Sequence, residues 1–424
     1  MRRLLLSAVP VALALAACAG SPPPPQESLI ADVEFAAIPI EEATGVPEFA
    51  NHARAIGMTL SAVNGDDNNT VSSPLSLMLA LAMLAEGADG SALQQIEDAL
   101  GTRGEERSRT AAAIITDLKA SEQGFESFAP EGELPEKPLV HVANQLVLKT
   151  GFTVEDDFLE RLQRYHNAGM VKTDLSDSNS KQTLDAWVKK HTAGLIEESH
   201  IIPNAQLVLV LQNAVLFAAR WMSPFSADRV YDDTFTLLNG EKTTIPMMHD
   251  DIAVQIGQVG EWSAAHIPYV SDFAATVILP PRGTSPTAIT EEQLNELALD
   301  AALAPLAPAE VVLPKLDVEA SVDLMRDLRA LGIDDIFEAN TNPLVGINAE
   351  EPLAVGQAAQ QAHLIVDEDG TVAAAVTEMG VEFTAAPSVD KMTFTVDRPF
   401  IFIIEDVETR IPLFYATIMN PAAK

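Results

Sequence analysis

The amino-acid sequence predicts an α+β protein with mixed, mainly antiparallel β-sheets and with most of its helices in the first half of the chain. Three stretches support this prediction. Residues 207–221 form a long apolar run that suits a buried central strand. Residues 397–419 contain two strongly apolar segments around an acidic turn, which predicts a pair of strands. The apolar residues that follow Ser73 are crowded enough for a buried helix.

That helix is predicted to begin at Pro74, because Ser73 is a favoured N-cap residue and proline is favoured at the first helical position. The apolar run predicts that it ends around Gly87. Ser73 and Ser76 lie outside any G-x-S-x-G motif, so a capping role is favoured over a nucleophilic one.

The second half of the chain alternates strand and helix patterns. The segments FAATVILPP and VVLPKLDVEASV predict strands, and DLMRDLRALGI predicts a short helix between turns. No second low-complexity break follows the N-terminal region. We therefore expect one globular domain over residues 46–424.

Composition excludes several classes of function. The chain has 424 residues, of which 47% are hydrophobic, and 61 acidic against 26 basic residues give a formal net charge of −35. Such a charge repels phosphate backbones, so a nucleic-acid partner is not expected. The sequence has no HExxH, CxxC or P-loop motif, and its eight histidines are scattered, so neither a cofactor nor a metal is expected.

The N-terminus predicts export and lipid attachment. Two arginines precede a short apolar core that cannot span a bilayer as a permanent helix. Leu15-Ala16-Ala17-Cys18 resembles a bacterial lipobox, which predicts a signal peptide over residues 1–17 and acylation of Cys18, the only cysteine. An ordinary signal peptide cleaved at an A-x-A-like site is the alternative. A Pro-rich linker over residues 18–45 would then join the domain to a bacterial outer membrane, on its periplasmic or cell-surface face.

Eight segments in the same order resemble the serpin family and cover nearly everything after residue 45. The resemblance implies the serpin fold, with about eight to nine helices and an exposed reactive-centre loop. It also implies a shutter and breach in the main sheet at Ser73, Ser76, Asn213, Trp221 and Gln360. The segments are NTVSSPLS with Asn69 and Pro74, VANQLVL with Asn144, WVKKHTAGLI with Thr192 and Gly194, LQNAVLFAARWMSPF, IPMM, LPKLDVEASVDLMRDLRALGI, RPFIF and PLFYATIMNP.

The stretch after Glu368-Asp369-Gly370-Thr371 corresponds to the reactive-centre loop of that family. Read with a period of two residues, the stretch places its charged residues on one face only. No proline interrupts residues 371–386, so every backbone N–H there can join a strand ladder. An alanine-rich helix is the alternative that composition favours, but valines, threonines and Gly380 argue against it. The uncharged face carries Thr371, Ala373, Ala375, Thr377, Met379, Val381 and Phe383.

The resemblance implies suicide inhibition of a serine protease by a monomeric protein that is not itself an enzyme. The protease would form a covalent acyl complex with the loop, which then inserts into the main sheet. Family spacing from Glu368 places the attacked residue at Thr384 with Ala385 on the leaving side, and Phe383 is the rival. Threonine suits an elastase-like protease, whereas phenylalanine suits a chymotrypsin-like one. The implied hinge consists of Glu368, Gly370, Thr371, Ala373, Ala374 and Ala375.

Three positions depart from the family pattern, and one of them is Ala416, which replaces a glycine of the last strand. Gln360 replaces a histidine of the shutter and can form hydrogen bonds but cannot titrate, so pH-sensitive opening of the sheet is not expected. Val372 replaces a hinge glutamate and is expected to face outward after insertion. Two other functions remain open, namely a serpin-fold surface-binding protein without inhibition and an acidic surface lipoprotein with hydrolase activity. The small hinge residues favour the inhibitor.

Overall fold

The structure, a computed structural model, describes residues 33–372 and 392–423. Eight α-helices lie in this part of the chain, six of them before residue 192, which confirms the predicted concentration of helices in the first half. Among the described residues, no helix has both the length and the apolar character needed to cross a membrane. The helices are α1 (Val46–Asn64), α2 (Pro74–Ala85), α3 (Gly90–Leu100), α4 (Gly104–Lys119), α5 (Asp156–His166), α6 (Ser178–His191), α7 (Glu291–Leu303) and α8 (Leu324–Ala330).

The strands of the described residues form two sheets. They are β1 (Thr70–Ser72), β2 (Leu139–Lys149), β3 (Gly169–Thr173), β4 (Leu209–Arg220), β5 (Val230–Thr236), β6 (Lys242–Val259), β7 (Trp262–Pro268), β8 (Phe273–Leu279), β9 (Ala307–Pro314), β10 (Leu316–Asp323), β11 (Ala359–Val366), β12 (Gly370–Thr371), β13 (Thr393–Thr395), β14 (Phe400–Asp406) and β15 (Pro412–Ile418). A nine-stranded sheet has the order β1-β15-β14-β8-β7-β6-β9-β13, with β5 paired to β6. A six-stranded sheet has the order β10-β11-β12-β4-β2-β3. Among these pairs, only β13 with β9 and β2 with β3 are parallel, which confirms the mixed, mainly antiparallel prediction.

The segment VVLPKLDVEASV contains two strands that belong to different sheets. The chain crosses at Lys315, between β9 of the nine-stranded sheet and β10 of the six-stranded sheet. The N–H of Lys315 donates to Pro246 O (3.2 Å) at the crossing. Alternation of side chains shows that a segment is extended but not which sheet it joins, so the sequence does not reveal the change.

Helix α2 lies between the two sheets. Ser73 Oγ accepts a hydrogen bond from Ser76 N (3.2 Å) and Pro74 is the first helical residue, which confirms the predicted N-cap. The helix ends at Ala85, slightly before the predicted Gly87. Most of its leucine, methionine and alanine side chains are buried because the helix packs against β4 on one side and β15 on the other, whereas Ala80 and Leu84 are half-buried.

A buried ionic cluster fixes the C-terminal end of α2. The Glu86 carboxylate is fully buried and accepts from Arg161 Nε (2.6 Å) and Arg107 Nη2 (3.1 Å), and it lies 2.9 Å from His166 Nε2. Burial acts to raise the pKa of Glu86, but the hydrogen bond and charge of His166 and the two arginines outweigh it and lower the pKa to about 2. Asn144 Nδ2 on β2 donates to His166 O (2.8 Å), so the cluster links α2, α4 and α5 to the six-stranded sheet.

Replacing Glu86 by glutamine should therefore destabilise the protein by roughly 3 kcal/mol at pH 7, at about 1.4 kcal/mol per pKa unit. The folded-state pKa lies below the ordinary value of 4.5, so this stabilisation is complete above pH 4.5 and is lost as the pH falls toward 2. Urea unfolding at pH 7 and pH 3 measures the difference between wild type and Glu86→Gln, which should narrow at pH 3.

Glu160→Gln is the matched control, because Glu160 pairs with Arg164 at the surface. We expect it to cost less than about 1 kcal/mol. A Glu86→Gln deficit that is the same at both pH values, or no larger than that of the control, would contradict the assignment.

Candidate functional site

The six-stranded sheet is incomplete between β4 and β11. The short strand β12 lies between them, with Thr371 opposite both Val366 of β11 and Ala219 of β4. Beyond β12, none of the described residues forms a ladder between β4 and β11, and a cavity of about 470 Å³ follows the two strands instead. It runs along residues 209–217 on one side and residues 352–364 on the other. The sheet therefore has a vacant strand position.

Helices cover this vacant strand position on both faces. Phe217 belongs to the main core together with the residues of α2, whereas its neighbour Leu216 packs with Leu195, just after α6. Consecutive side chains of a strand point to opposite faces, so α2 and the end of α6 lie on opposite sides of the sheet. Residues from both helices line the cavity: Ser76, Leu77, Ala80 and Leu84 of α2, and Val188, Thr192, Leu195 and Ile196 at the end of α6 and just after it.

Gln360 ties β11 to the start of α2. Its Nε2 donates to Ser73 O (2.9 Å) and its Oε1 accepts from Ser73 N (3.1 Å). Ser73 Oγ donates to Leu413 O (2.7 Å) of β15, so the same residue also contacts the second sheet. These groups are buried, and an unpaired amide there would cost about 1–3 kcal/mol. The structure thus brings together two of the predicted shutter residues.

Asn213, another residue of the predicted shutter and breach, bonds elsewhere. Its Nδ2 donates to Asn144 Oδ1 (2.7 Å) on the neighbouring strand β2. Its Oδ1 is buried and has no hydrogen-bond partner among the described residues. Ser76 contributes its backbone N–H to the Ser73 cap. The four residues Ser73, Ser76, Asn213 and Gln360 therefore surround one cavity, but Asn213 and Gln360 belong to separate hydrogen-bond sets.

Trp221 holds the turn that leads into β12. Its indole Nε1 donates to Asp367 O (2.9 Å) and its backbone N–H donates to Asp369 O (2.9 Å). The indole stacks on the ring of Tyr269 with centroids 4.3 Å apart, and Tyr269 OH lies 2.5 Å from Thr371 Oγ1. All three side chains are buried. The predicted breach residue Trp221 therefore lies directly against the predicted hinge.

The same turn carries an ion pair between Glu368 and Lys315, whose Oε2 and Nζ atoms are 2.5 Å apart. Burial acts to raise the pKa of Glu368, but the hydrogen bond and charge of Lys315 outweigh it and hold that pKa below its ordinary value. The pKa of Asp367 is raised by burial, although the N–H groups of Asp369 and Gly370 donate to it. Solvent screens the partly exposed ion pair, so we expect it to position the turn more than to stabilise the fold.

Gly370 and Thr371 already occupy the first part of the vacant strand position. A Cβ atom at residue 370 would lie 2.1 Å from Ala219 O, so the close approach of β12 to β4 requires glycine. The next residue, Val372, has φ 68°, which is unfavourable for a β-branched side chain. The described chain therefore leaves the sheet through a strained residue.

Val372 is also buried, packed in a cluster with Phe125, Leu139 and Leu216. The outward orientation expected for its side chain concerns the inserted loop and stays a prediction. The remaining predicted site residues lie outside the described part of the chain. They are Ala373, Ala374 and Ala375 of the hinge, Phe383, Thr384 and Ala385 around the reactive bond, and Cys18 of the lipid anchor.

Sequence reasoning misses Tyr269 and Lys315. Each contacts a hinge residue that is distant in the chain, so no local pattern marks the pair. The one signal for Lys315 is its position in the matched segment LPKLDVEASV, and Tyr269 has none beyond the end of a strand pattern.

Comparison with known proteins identifies relatives over most of the chain. The family model described as "Serpin (serine protease inhibitor)" matches residues 51–421. A protein named serine protease inhibitor from Cyanea capillata is 29% identical over 375 residues, 85% of this chain and 94% of its own length. Neuroserpin from Rattus norvegicus is 29% identical over 398 residues, 88% of each chain. The native structure of a thermophilic serpin, tengpin, matches with a TM-score of 0.75 at 26% identity, over 92% of this chain and 96% of that one. Native protease nexin-1 with heparin, at 23% identity and a TM-score of 0.72, supports the fold alone and covers 89% of this chain and 99% of that one.

Replacing Gly370 by alanine should expel β12 from the vacant strand position, because the added Cβ cannot fit beside Ala219 O. We expect the amides of residues 367–372 to exchange with solvent faster and the free energy of unfolding to fall by about 1–3 kcal/mol. Hydrogen exchange and urea unfolding measure the two effects. Gly356→Ala is the matched control, because a Cβ there meets no atom within 4 Å. If Gly370→Ala kept wild-type protection, the tight approach of β12 to β4 would be wrong.

Proposed function

Because the chain belongs to the serpin family, we propose that it is a suicide inhibitor of serine proteases whose cut reactive-centre loop inserts between β4 and β11. Serpins are protease inhibitors rather than enzymes, so the catalytic residues belong to the target. One observation carries the proposal. The vacant strand position already contains Gly370 and Thr371, the residues that lead directly into the predicted loop.

Three features of the described structure favour insertion. The facing edges of β4 and β11 lack a shared ladder beyond β12 in the described chain, and an added strand would pair with both. The cavity between them has a largely apolar lining, and each buried large side chain of the loop would contribute about 1.5–3 kcal/mol. Extension of Val372 into a regular strand would also relieve its strained backbone, worth about 1–3 kcal/mol.

The chemistry of trapping follows the acyl-enzyme route of serine proteases. The protease serine attacks the carbonyl carbon of Thr384, the peptide bond to Ala385 breaks, and the released amine takes a proton. Thr384 then stays bound to the serine as an ester. Before cleavage the loop is attached at both ends, to β12 through Val372 and to β13 through Met392. The Met392 carbonyl accepts a hydrogen bond from Glu310 N (2.9 Å). Cleavage frees one end, and the loop can enter the sheet with the protease still attached.

The loop sequence supports a preference for small or apolar residues at the reactive bond. No lysine or arginine lies between Gly370 and Lys391, so trypsin-like proteases are not expected targets. Attack at Thr384 suits an elastase-like protease, whereas attack at the rival Phe383 suits a chymotrypsin-like one.

The N-terminal sequence supports attachment of this inhibitor to a bacterial outer membrane through acylated Cys18. The Pro-rich linker over residues 18–45 would hold the domain away from the lipid surface, because polyproline segments are extended and stiff. In this proposal the inhibitor is a monomer at the outer membrane, where it can reach proteases on the same side.

Incubation of the full chain with an elastase-like or a chymotrypsin-like protease should give an SDS-stable covalent complex, and a trypsin-like protease should give none. Mass spectrometry of the released peptide identifies the reactive bond. A new N-terminus at Ala385 assigns it to Thr384, and one at Thr384 assigns it to Phe383. A new N-terminus at Met392 would contradict the proposed specificity.

Two hinge variants test the insertion step. Ala373→Arg should convert the inhibitor into a substrate that is cut without trapping, because an unpaired arginine would have to enter the core face of the sheet. Ala373→Ser is the matched control, because a small uncharged side chain at the same position should still enter the core face and keep trapping intact. Thr371→Arg is less suitable, because Thr371 is already buried against Tyr269 before cleavage. If wild type were cut without any complex, the alternative of a non-inhibitory surface-binding protein would be favoured.

Cleavage of the loop should raise the thermal unfolding temperature. The inserted strand would bury Met379, Val381 and Phe383 from the uncharged face, at about 1.5–3 kcal/mol each before the entropy of ordering is subtracted. Differential scanning calorimetry of intact and nicked protein measures the change, and Ala373→Arg after nicking serves as the control with impaired insertion. A melting temperature that stays constant or falls on nicking would contradict loop insertion.

A further inference from the structure

Two buried histidines connect the end of α6 to the six-stranded sheet. His141 is on β2 and His191 is the last residue of α6. His141 Nε2 and His191 Nδ1 are 2.8 Å apart, a hydrogen-bond distance, and the two rings are inclined by only 7°. His141 and His191 are 5% and 9% exposed, so water competes little for this contact.

Aromatic rings enclose the histidine pair from both sides. Phe125 stacks on His141 with centroids 3.5 Å apart, and Trp187 packs against His191 at 4.6 Å. Glu122 Oε1 lies 2.5 Å from His141 Nδ1, on the side away from His191. The order of groups is therefore a carboxylate, a histidine of the sheet and a histidine of the helix.

The chain directly after His191 covers the vacant strand position. Thr192, Leu195 and Ile196 line the cavity between β4 and β11. Their backbone is held by short-range bonds, among them Thr192 N to Val188 O (3.0 Å) and Gly194 N to Lys189 O (2.8 Å). A strand that filled the cavity would pack directly against these side chains, so the contact that holds the end of α6 also affects access to the site.

The geometry of the pair accepts one added proton but not two. With Nδ1 of His141 protonated toward Glu122, the neutral pair uses a single proton between His141 Nε2 and His191 Nδ1. A first added proton can be accommodated by moving that shared proton to His141 and protonating His191 on Nε2. A second would place an N–H on both facing nitrogens, which are only 2.8 Å apart. Two imidazolium rings cannot keep this contact.

The charged groups around the pair do not offset this conflict at His191. Burial, the neighbouring His141 and the cation of Lys190 all lower the pKa of His191, to about 3. Burial also lowers the pKa of His141, although Glu122 and Glu126 act to raise it and Lys190 acts to lower it. The acidic groups therefore act on the histidine of the sheet, whereas the charges that act on the histidine of the helix, those of His141 and Lys190, are like charges.

We propose that the His141–His191 contact is an acid-sensitive latch that holds the end of α6 over the vacant strand position and releases it when both histidines are protonated. This inference deepens the proposed inhibitory function, on which its biological meaning rests, because release would ease insertion of the loop. The sequence led us to expect no pH-sensitive opening, because Gln360 at the shutter cannot titrate. The proposed pH response arises instead from the histidine pair at the end of α6.

The direction of the pH effect follows from the two states. The released histidine titrates near its ordinary value of 6.5, and the latched His191 does so only near 3. The latch is therefore at full strength well above pH 6.5 and weakens about tenfold for each pH unit below it, roughly 30-fold between pH 7.5 and pH 5.0.

Hydrogen exchange of the full chain at pH 7.5 and pH 5.0, corrected for the intrinsic exchange rates, measures the latch without any protease. The amides of Thr192, Gly194 and Leu195 report on the end of α6 because each donates a backbone hydrogen bond. In wild type their opening equilibrium should rise roughly 30-fold at the lower pH. His191→Gln keeps a group that can bond to His141 but cannot titrate, so its change should stay below about threefold.

His52→Gln is the matched control, because His52 bonds to Ala99 O on a distant part of the fold and should leave the 30-fold response intact. Should His191→Gln fail to fold, an NMR titration of the ring protons of wild type decides the question. Wild-type opening that is independent of pH, an equal response in His191→Gln, or a His191 midpoint near 6.5 while α6 stays protected would overturn the latch. A chain that opens in acid but traps no protease would contradict the proposed function and leave the latch supported.

Discussion

The separation of β4 from β11 is the constraint on which the rest of the structure depends. Each boundary of the vacant strand position is held by its own contacts. Gln360 and Ser73 fix β11 to α2 beneath it, Trp221 and Tyr269 enclose the hinge at one end, and the end of α6 covers the outer face. The side chains at these boundaries are buried and have hydrogen-bond or packing partners. The facing edges of β4 and β11, by contrast, share no ladder beyond β12 in the described chain. A stable frame around an unfilled centre is how a protein can store free energy without unfolding.

Two restraints explain why the strand position stays vacant in the intact chain. Filling it would gain strand pairing and apolar burial, terms of several kcal/mol, yet an intact chain is attached both at Val372 and at Met392. The tether is covalent, so no rearrangement of side chains removes it. The end of α6, which covers the vacant strand position, adds a second, weaker restraint. The strength of this restraint depends on protonation of the histidine pair. Gln360 removes titration from the shutter, and the buried histidine pair supplies it elsewhere in the same sheet.

Much of the fold could be predicted from the sequence because its signals are local. Ser73 and Pro74 predicted the start of α2, and the apolar run over residues 207–221 predicted β4. The position of Trp221 at the hinge followed from family resemblance rather than from pattern. Contacts between distant residues were not predictable, as Tyr269 with Thr371 and Lys315 with Glu368 show, because periodicity carries no information about partners. Thr384, Ala385 and Cys18 remain predictions from sequence.

The two residues of β12 have a kinetic consequence. Forming the first pairs of a ladder is the costly step, since it orders the chain before many bonds reward it. Here that nucleus exists before cleavage, with Thr371 already aligned to Ala219 and Val366. From this nucleus the ladder can extend one residue at a time, with no search among alternative strand registers. A slip of one residue would exchange the two faces of the strand, so the nucleus also sets which side chains become buried.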